Sequence, residues 1–263
     1  MTPDTWLQLK RFTAARIALG RAGGSVPTRE RLGFQLALAG ARDAVRSPFD
    51  AADLAAHLAN LPVTSLVLPT RAADRTTYLQ RPDLGRALAE TAALALAGVK
   101  SGGPWDLVIL LSDGLSPLAV QRQAHPLLSA LLPNLLAAGW RVAPLIILPN
   151  ARVAVQDEVG GGLGAQLSLM LLGERPGLGS PDSLGAYFTF RPAPGKTDAD
   201  RNCISNIRPE GLTPALAAEK LFQLLSQSRE RQISGVGLKD DAEQLAQTGS
   251  IGLSRLVQSH RDS

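Results

Sequence analysis

The residues of this chain that could do chemistry gather in two stretches of its second half. The first reads Gly173-Glu174-Arg175-Pro176-Gly177-Leu178-Gly179-Ser180-Pro181-Asp182-Ser183. It follows an apolar run, so Glu174 offers a carboxylate where a strand ends, and Gly177 and Gly179 would let a bulky ligand approach the backbone. Functional side chains concentrate on such loops. The plain alternative is that Glu174 and Arg175 pair with each other while the glycines only turn the chain. The second stretch, residues 197–206, sets Asp198, Asp200, Arg201 and Asn202 beside Cys203, the sole cysteine. Two aspartates at this spacing suggest a metal, but no third ligand sits near them in sequence, and a solvated turn is the commoner use. Cys203 has no neighbouring histidine to activate it, so inert packing is expected rather than covalent catalysis. His57, His125 and His260 are scattered, which leaves no Cys/His cluster with zinc spacing and no Ser-His-Asp set. Neither Gly-x-x-x-x-Gly-Lys-Ser/Thr nor a helix-opening Gly-x-Gly-x-x-Gly is present, which demotes nucleotide binding.

Both stretches need elements to hold them. Residues 107–111 form an unbroken apolar run closed by Asp113-Gly114, the pattern of a strand buried on both faces. Residues 142–148, 167–172 and 186–190 read as three more strands. Ser116-Pro117 and Thr213-Pro214 are cap-plus-proline helix starts, and the helix after Ser116 is expected to break at Pro126 and stop at Gly139. Four strands with intervening helices predict an open, doubly wound, Rossmann-like α/β domain with a mostly parallel sheet. In such a sheet ligands sit beyond the carboxyl ends of the strands. Residues 112–116, 149–152 and 173–183 should therefore line one crevice. The first hundred residues read as helices, at 5–19, from Pro27-Thr28 onward, at 50–60 and at 82–98. The expected division is a helical partner-docking region at 1–101, the sheet domain at 102–240 and a loosely docked tail at 241–263.

With 263 residues, 45% of them hydrophobic, the chain can bury a large core and is no disordered tail. Eleven aromatics are few for base stacking. The first hundred residues carry 13 Lys/Arg against 8 Asp/Glu, the remainder 14 against 15. The basic half is spread along helical patterns, which suits a protein partner better than nucleic acid. No apolar run approaches the roughly 20 residues that span a bilayer, and Lys10 and Arg11 follow a polar start unlike a secretory signal. One cysteine suits a reducing compartment.

Three motifs together resemble one family. Phe12-Thr13-Ala14-Ala15-Arg16-Ile17-Ala18-Leu19-Gly20-Arg21-Ala22-Gly23, Gly173-Glu174-Arg175-Pro176-Gly177-Leu178-Gly179 and Ala199-Asp200-Arg201-Asn202-Cys203-Ile204-Ser205-Asn206-Ile207 are similar to segments of the small (light) subunit of ethanolamine ammonia-lyase. Tyr78-Leu79, Arg81-Pro82-Asp83-Leu84-Gly85-Arg86 and Ser112-Asp113-Gly114-Leu115-Ser116 fit it in the same order, and the likeness spans roughly residues 6–240.

The resemblance implies an adenosylcobalamin-dependent lyase that converts ethanolamine to acetaldehyde and ammonia. It implies a hetero-oligomer in which a large TIM-barrel subunit holds the substrate and the catalytic residues. This chain then holds cofactor and carries no catalytic residue of its own, with Val153, Glu174 and Cys203 as the corrinoid-contacting positions. None of the three histidines sits in an Asp-x-His-x-x-Gly pattern, so this chain is not expected to supply a ligand to cobalt. Leu38 stands where family members usually have a histidine, so no polar role is expected there. The chain starts almost directly at its first helix, so the cytoplasm is expected rather than a bacterial microcompartment. The competing reading is a free-standing doubly wound binding protein for a nucleotide or other phosphorylated ligand.

Overall fold

The structure, a computed structural model, describes residues 8–13 and 15–238. Helix Thr28–Arg46 (α1) begins directly after Pro27. Asp50 caps Ala51–His57 (α2), its carboxylate accepting from the amides of Ala52 and Asp53. Strand Ser65–Val67 (β1), helix Arg75–Gln80 (α3) and helix Ala93–Ser101 (α4) follow. Then come Leu107–Ser112 (β2), Pro117–Ala137 (α5), Leu145–Ile147 (β3), Val155–Leu163 (α6), Leu167–Gly173 (β4), Leu184–Phe190 (β5), Arg201–Ile207 (β6) and Pro214–Arg231 (α7).

The six strands form one sheet in the order β1-β3-β2-β4-β5-β6. The first four are mutually parallel, and β5 and β6 extend the sheet antiparallel. Every residue of β2 and β4 is buried, as expected of strands covered on both faces. Leu107, Ile109 and Leu111 of β2 meet α5 and α7 on one side. Val108 and Leu110, with Met170 of β4, meet α4 and α6 on the other. The fold is thus mixed α/β with a mostly parallel sheet.

Several expectations change. Six strands replace four: β1 was too short to be read, and the polar stretch around Cys203 forms β6. The sheet reaches back across residue 102, since β1 lies on its edge and Leu54, Leu58, Leu68 and Leu88 join its two cores. Helix α5 runs unbroken through Pro126 and Pro133. An internal proline costs about 3 kcal/mol, but Leu127, Leu128, Leu131, Leu132 and Leu135 are fully buried along this helix. At about 1.5–3 kcal/mol for each such side chain, burial outweighs the prolines. Of the helix expected at 5–19, only Gln8 and Leu9 are helical among the described residues, and the chain turns at Lys10. The tail expected at 241–263 lies outside the described residues.

One buried carboxylate ties the strand ends together. Asp113, 1% exposed, accepts from Arg75 Nη1 at 2.7 Å, Ser112 Oγ at 3.0 Å and the Asn150 amide at 2.7 Å. Arg75 also donates to the carbonyls of Gly114 and Val45. Burial pushes the Asp113 carboxyl above its ordinary value, and the Arg75 guanidinium opposes that rise. The loop carrying Asp113 crosses the end of β4 at contact distance. A Cβ on Gly173 would stand 2.1 Å from the Ser116 carbonyl oxygen and 2.4 Å from that of Asp113. Gly173→Ala should therefore lower stability by about 1–3 kcal/mol through overpacking. Gly179→Ala, where an added Cβ meets nothing within 4 Å, should change it by less than about 0.5 kcal/mol. Equal urea midpoints for the two variants would contradict this account.

Candidate functional site

The register β4–β5–β6 sets Met170, Tyr187 and Cys203 side by side, so all three point to the α6 face of the sheet. Helix α6 covers β2 and β4 there but stops short of β6. The bare portion is the floor of a cavity of about 1030 Å³. Tyr187, Arg201, Cys203 and Ser205 line it from the sheet, Leu115, Leu172, Gly173, Glu174 and Arg175 from the strand ends, and Arg152, Val153 and Ala154 from the approach to α6. Tyr78, Pro82 and Arg86 close the far side, and Lys196, Thr197 and Asp198 the near one. Each of the three loops expected to share a crevice contributes: Leu115, Arg152, and the run from Gly173 to Arg175.

Glu174 does not pair with Arg175. Its Oε1 accepts from Ser205 Oγ, and its Oε2 from Ser183 Oγ and, at 3.1 Å, from the Asn206 amide. A carboxylate has about four acceptor positions. Three are filled by donors on β6 and at the start of β5, which leaves one on Oε1. Gly177 and Gly179 are not at the cavity. They belong to the turn, where Gly177 and Ser180 exchange backbone hydrogen bonds.

Cys203, read as packing, is exposed on the cavity floor. The Tyr187 hydroxyl donates to its sulfur. The surrounding protein desolvates the thiol and pushes it up to about 11, with the Glu174 charge adding to the rise and the Tyr187 hydrogen bond opposing it. Burial also pushes Tyr187 up. Beside Cys203 on the same face, Arg201 donates to both oxygens of Asp157 at 2.7 and 2.8 Å. This buried pair pins α6 to β6 and fixes the cavity's width; losing one partner of such a pair costs about 3–5 kcal/mol.

Val153 lies half-buried where the chain enters α6. Its neighbour Arg152 stacks on the Tyr78 ring, 4.1 Å from Cζ to centroid, and donates to the Tyr78 carbonyl. The stack requires Gly85, where a Cβ would stand 2.8 Å from the Asn150 carbonyl oxygen and 3.1 Å from Arg152 Cγ. Tyr78 is fully buried, and its hydroxyl, like Arg152 Nε, has no hydrogen-bond partner. Burial pushes that hydroxyl up to about 12.

Val153, Glu174 and Cys203 thus meet at one cavity although about 50 residues of chain separate the first from the last. Sequence reasoning missed Tyr187, Arg201 and Ser205 as lining residues. Their alternation along β5 and β6 was the available signal: Tyr187 lay in a run read as a strand whose facing was not assigned, and Arg201 and Ser205 in a stretch read as a turn. Arg86 and Lys196 carried no signal. His57 and His125 lie on α2 and α5, ring centroids 5.1 Å apart, and do not line the cavity; His260 lies outside the described residues.

The described residues thus form a parallel-then-antiparallel α/β sheet with a large cavity at its strand ends. A profile of the ethanolamine ammonia-lyase light chain (EutC) family matches residues 3–239. The chain is 55% identical over 244 residues to the ethanolamine ammonia-lyase small subunit of Azotobacter vinelandii, covering 92% of this chain and 90% of that one. It is 52% identical over 248 residues to that of Pseudomonas aeruginosa PAO1, covering 94% and 91%, and 52% identical over 244 residues to that of Pseudomonas fluorescens SBW25, covering 92% and 88%. The chain belongs to the ethanolamine ammonia-lyase light-chain family.

The thiol environment gives a direct check. Only the thiolate reacts with iodoacetamide, so alkylation of Cys203 should accelerate about tenfold per pH unit from pH 7 to 9.5 without levelling, since its midpoint lies near 11. A plateau near pH 8.5, read by mass spectrometry of this single-cysteine chain, would contradict the desolvation of the thiol by its surroundings.

Proposed function

We propose that this chain is the small subunit of an adenosylcobalamin-dependent ethanolamine ammonia-lyase, which converts ethanolamine to acetaldehyde and ammonia. In this reading its cavity receives the corrinoid where the chain meets a large TIM-barrel subunit. The observation that carries the reading is the convergence of Val153, Glu174 and Cys203, the positions the family resemblance assigns to the corrinoid, on one cavity from three separate elements. The arrangement also suits a doubly wound, Rossmann-like reading, with helices on both faces and the ligand at the strand ends.

The residues fit such a cofactor. A cavity of about 1030 Å³ stands at the top of the range for drug-sized ligands, about 300–1,000 Å³. A corrinoid carries a wide apolar rim with amide arms that donate and accept. Val153, Leu115, Leu172 and Tyr187 offer apolar contact, and the free position on Glu174 Oε1 accepts from an amide. Arg86 and Lys196 are donors, and the unpartnered Tyr78 hydroxyl and Arg152 Nε are buried donors whose satisfaction by a ligand would remove a cost of about 1–3 kcal/mol each. When bound, the cofactor supplies the radical chemistry, while protein groups supply position and electrostatics. Here Glu174 is fixed in orientation by Ser183, Ser205 and the Asn206 amide. Cys203 presents a neutral thiol, and Arg201 with Asp157 holds the walls at a set separation.

In this reading the chain works in a reducing cytoplasm, free or within a microcompartment. The basic amino-terminal region docks the partner. The chain with cofactor alone should not turn over ethanolamine, and turnover should appear on co-expression with the large subunit; activity of the isolated chain would refute the assignment. In the assembled enzyme, Glu174→Gln should keep the subunits together yet weaken corrinoid binding by about 1–3 kcal/mol, the scale of one charged hydrogen bond. Spectral titration with cobalamin reads it, and an unchanged dissociation constant would remove Glu174 from the site.

A further inference from the structure

The charges around the cavity do not balance. Five cationic side chains line it against two carboxylates, Glu174 and Asp198. Arg201 lies 2.7 Å from Asp157 and 3.6 Å from Asp198, and Lys196 lies 3.5 Å from Asp200. Glu174 is filled by hydroxyls and an amide rather than by a cation. Arg86, Arg152 and Arg175 are left. Among the described residues none of the three has a carboxylate partner, and the side chains of Arg86 and Arg175 have no acceptor of any kind. The Arg152 guanidinium meets only the carbonyl and the ring of Tyr78. The Gly85 carbonyl accepts the Arg152 amide at 2.7 Å, which holds the Arg86 and Arg152 segments against each other, and Arg175 follows Glu174 at the exit of β4.

The plain fate of a single exposed arginine is hydration. Two observations set these three apart. They border one cavity, where like charges add into a single positive field. The same wall also holds buried donors without acceptors, Arg152 Nε and the hydroxyl of the fully buried Tyr78, and a buried donor left unmet is costly. Such a wall calls for a ligand that accepts hydrogen bonds and is negative. Guanidinium forks match the oxygens of phosphate or carboxylate. Donors arriving from three separate segments suit a tetrahedral group, whose oxygens point apart, better than a planar one. We propose that Arg86, Arg152 and Arg175 form a subsite for a phosphate group, and that it takes the phosphodiester of the cofactor's nucleotide loop. Glu174 then receives amide donors at one wall and the arginines an anion at another, so the cavity accepts the cofactor in one orientation and discriminates against a corrinoid that lacks the loop. The choice of ligand rests on the corrinoid reading above; the phosphate of a free nucleotide offers the subsite the same chemistry.

The test uses the assembled enzyme and reads dissociation constants by spectral titration with two corrinoids, cobalamin and cobinamide, the second lacking the nucleotide loop and its phosphodiester. Arg86→Gln and Arg175→Gln should each weaken cobalamin binding about tenfold and cobinamide binding less than about twofold, with melting temperatures unchanged because both side chains are exposed. Equal weakening of both corrinoids, or of neither, overturns the subsite. Inorganic phosphate added to the unaltered enzyme tests it without any substitution: phosphate should compete with cobalamin and leave cobinamide binding unchanged, and competition with both or with neither overturns the proposal. If neither corrinoid binds the unaltered enzyme while adenosine monophosphate does, and Arg86→Gln weakens that nucleotide about tenfold, the subsite stands and the corrinoid reading falls. If none of these probes binds, both fall.

Discussion

A single carboxylate with almost no contact with water organises the carboxyl end of this sheet. Asp113 sits where β2 ends, and its three donors come from three directions: Ser112 beside it, the amide of Asn150 after β3, and Arg75 from α3. A buried charge is tolerable only when it is paired and fully hydrogen-bonded, so the loops that satisfy Asp113 have little freedom. Arg75 passes the constraint outward to the Val45 carbonyl at the root of α1. The strand-end loops that border the cavity and the basic arm are therefore built on the same pair of side chains.

The cavity follows from a change in topology. Parallel strands need a crossover connection, and in this chain helices supply it and cover the sheet as they return. From β4 to β5 and from β5 to β6 the strands run antiparallel, and no crossover helix is required. The α6 face of those last strands is consequently left open. Arg201 and Asp157 hold α6 at the margin of that opening, while Glu174, at the hinge between the parallel and antiparallel parts, is gripped by residues of both later strands. A cavity with such a floor can be wide and polar without being unstable, because the charges at that floor are satisfied within the protein. Among the lining residues, the buried Tyr78 hydroxyl, Arg152 Nε and Arg201 Nε are the polar atoms without a hydrogen-bond partner in the described structure.

The family to which the chain belongs, the ethanolamine ammonia-lyase light chain, matches it across residues 3–239, a span that includes every residue lining the cavity. Its cavity is lined by apolar, cationic and hydroxyl-bearing side chains beside the Glu174 carboxylate. The thiol on its floor is pushed up to about 11 by its surroundings. Among the described residues, helix α1 leaves Leu32, Phe34, Leu36 and Leu38 exposed. No helix among the described residues is long and apolar enough to cross a membrane.

The sequence by itself determined the elements whose signals are local. The apolar runs at β2 and β4, the caps at Ser116 and Thr213 and the carboxylate at the exit of β4 could each be read from a few adjacent residues, because capping, turn formation and two-sided burial act over short distances. The family was legible too, from ordered motifs. Only the tertiary structure decided the rest. Pro126 could stay inside α5 because the leucines that follow it are buried by elements distant in sequence, the sheet and α7. The stretch around Cys203 became a strand because β5 offered a partner for its backbone, and Cys203 therefore faces a cavity rather than packing in a core. The meeting of Val153, Glu174 and Cys203 depends on long-range pairing of β4, β5 and β6 and on the hold of Arg201 upon Asp157, interactions between residues that local periodicity does not relate.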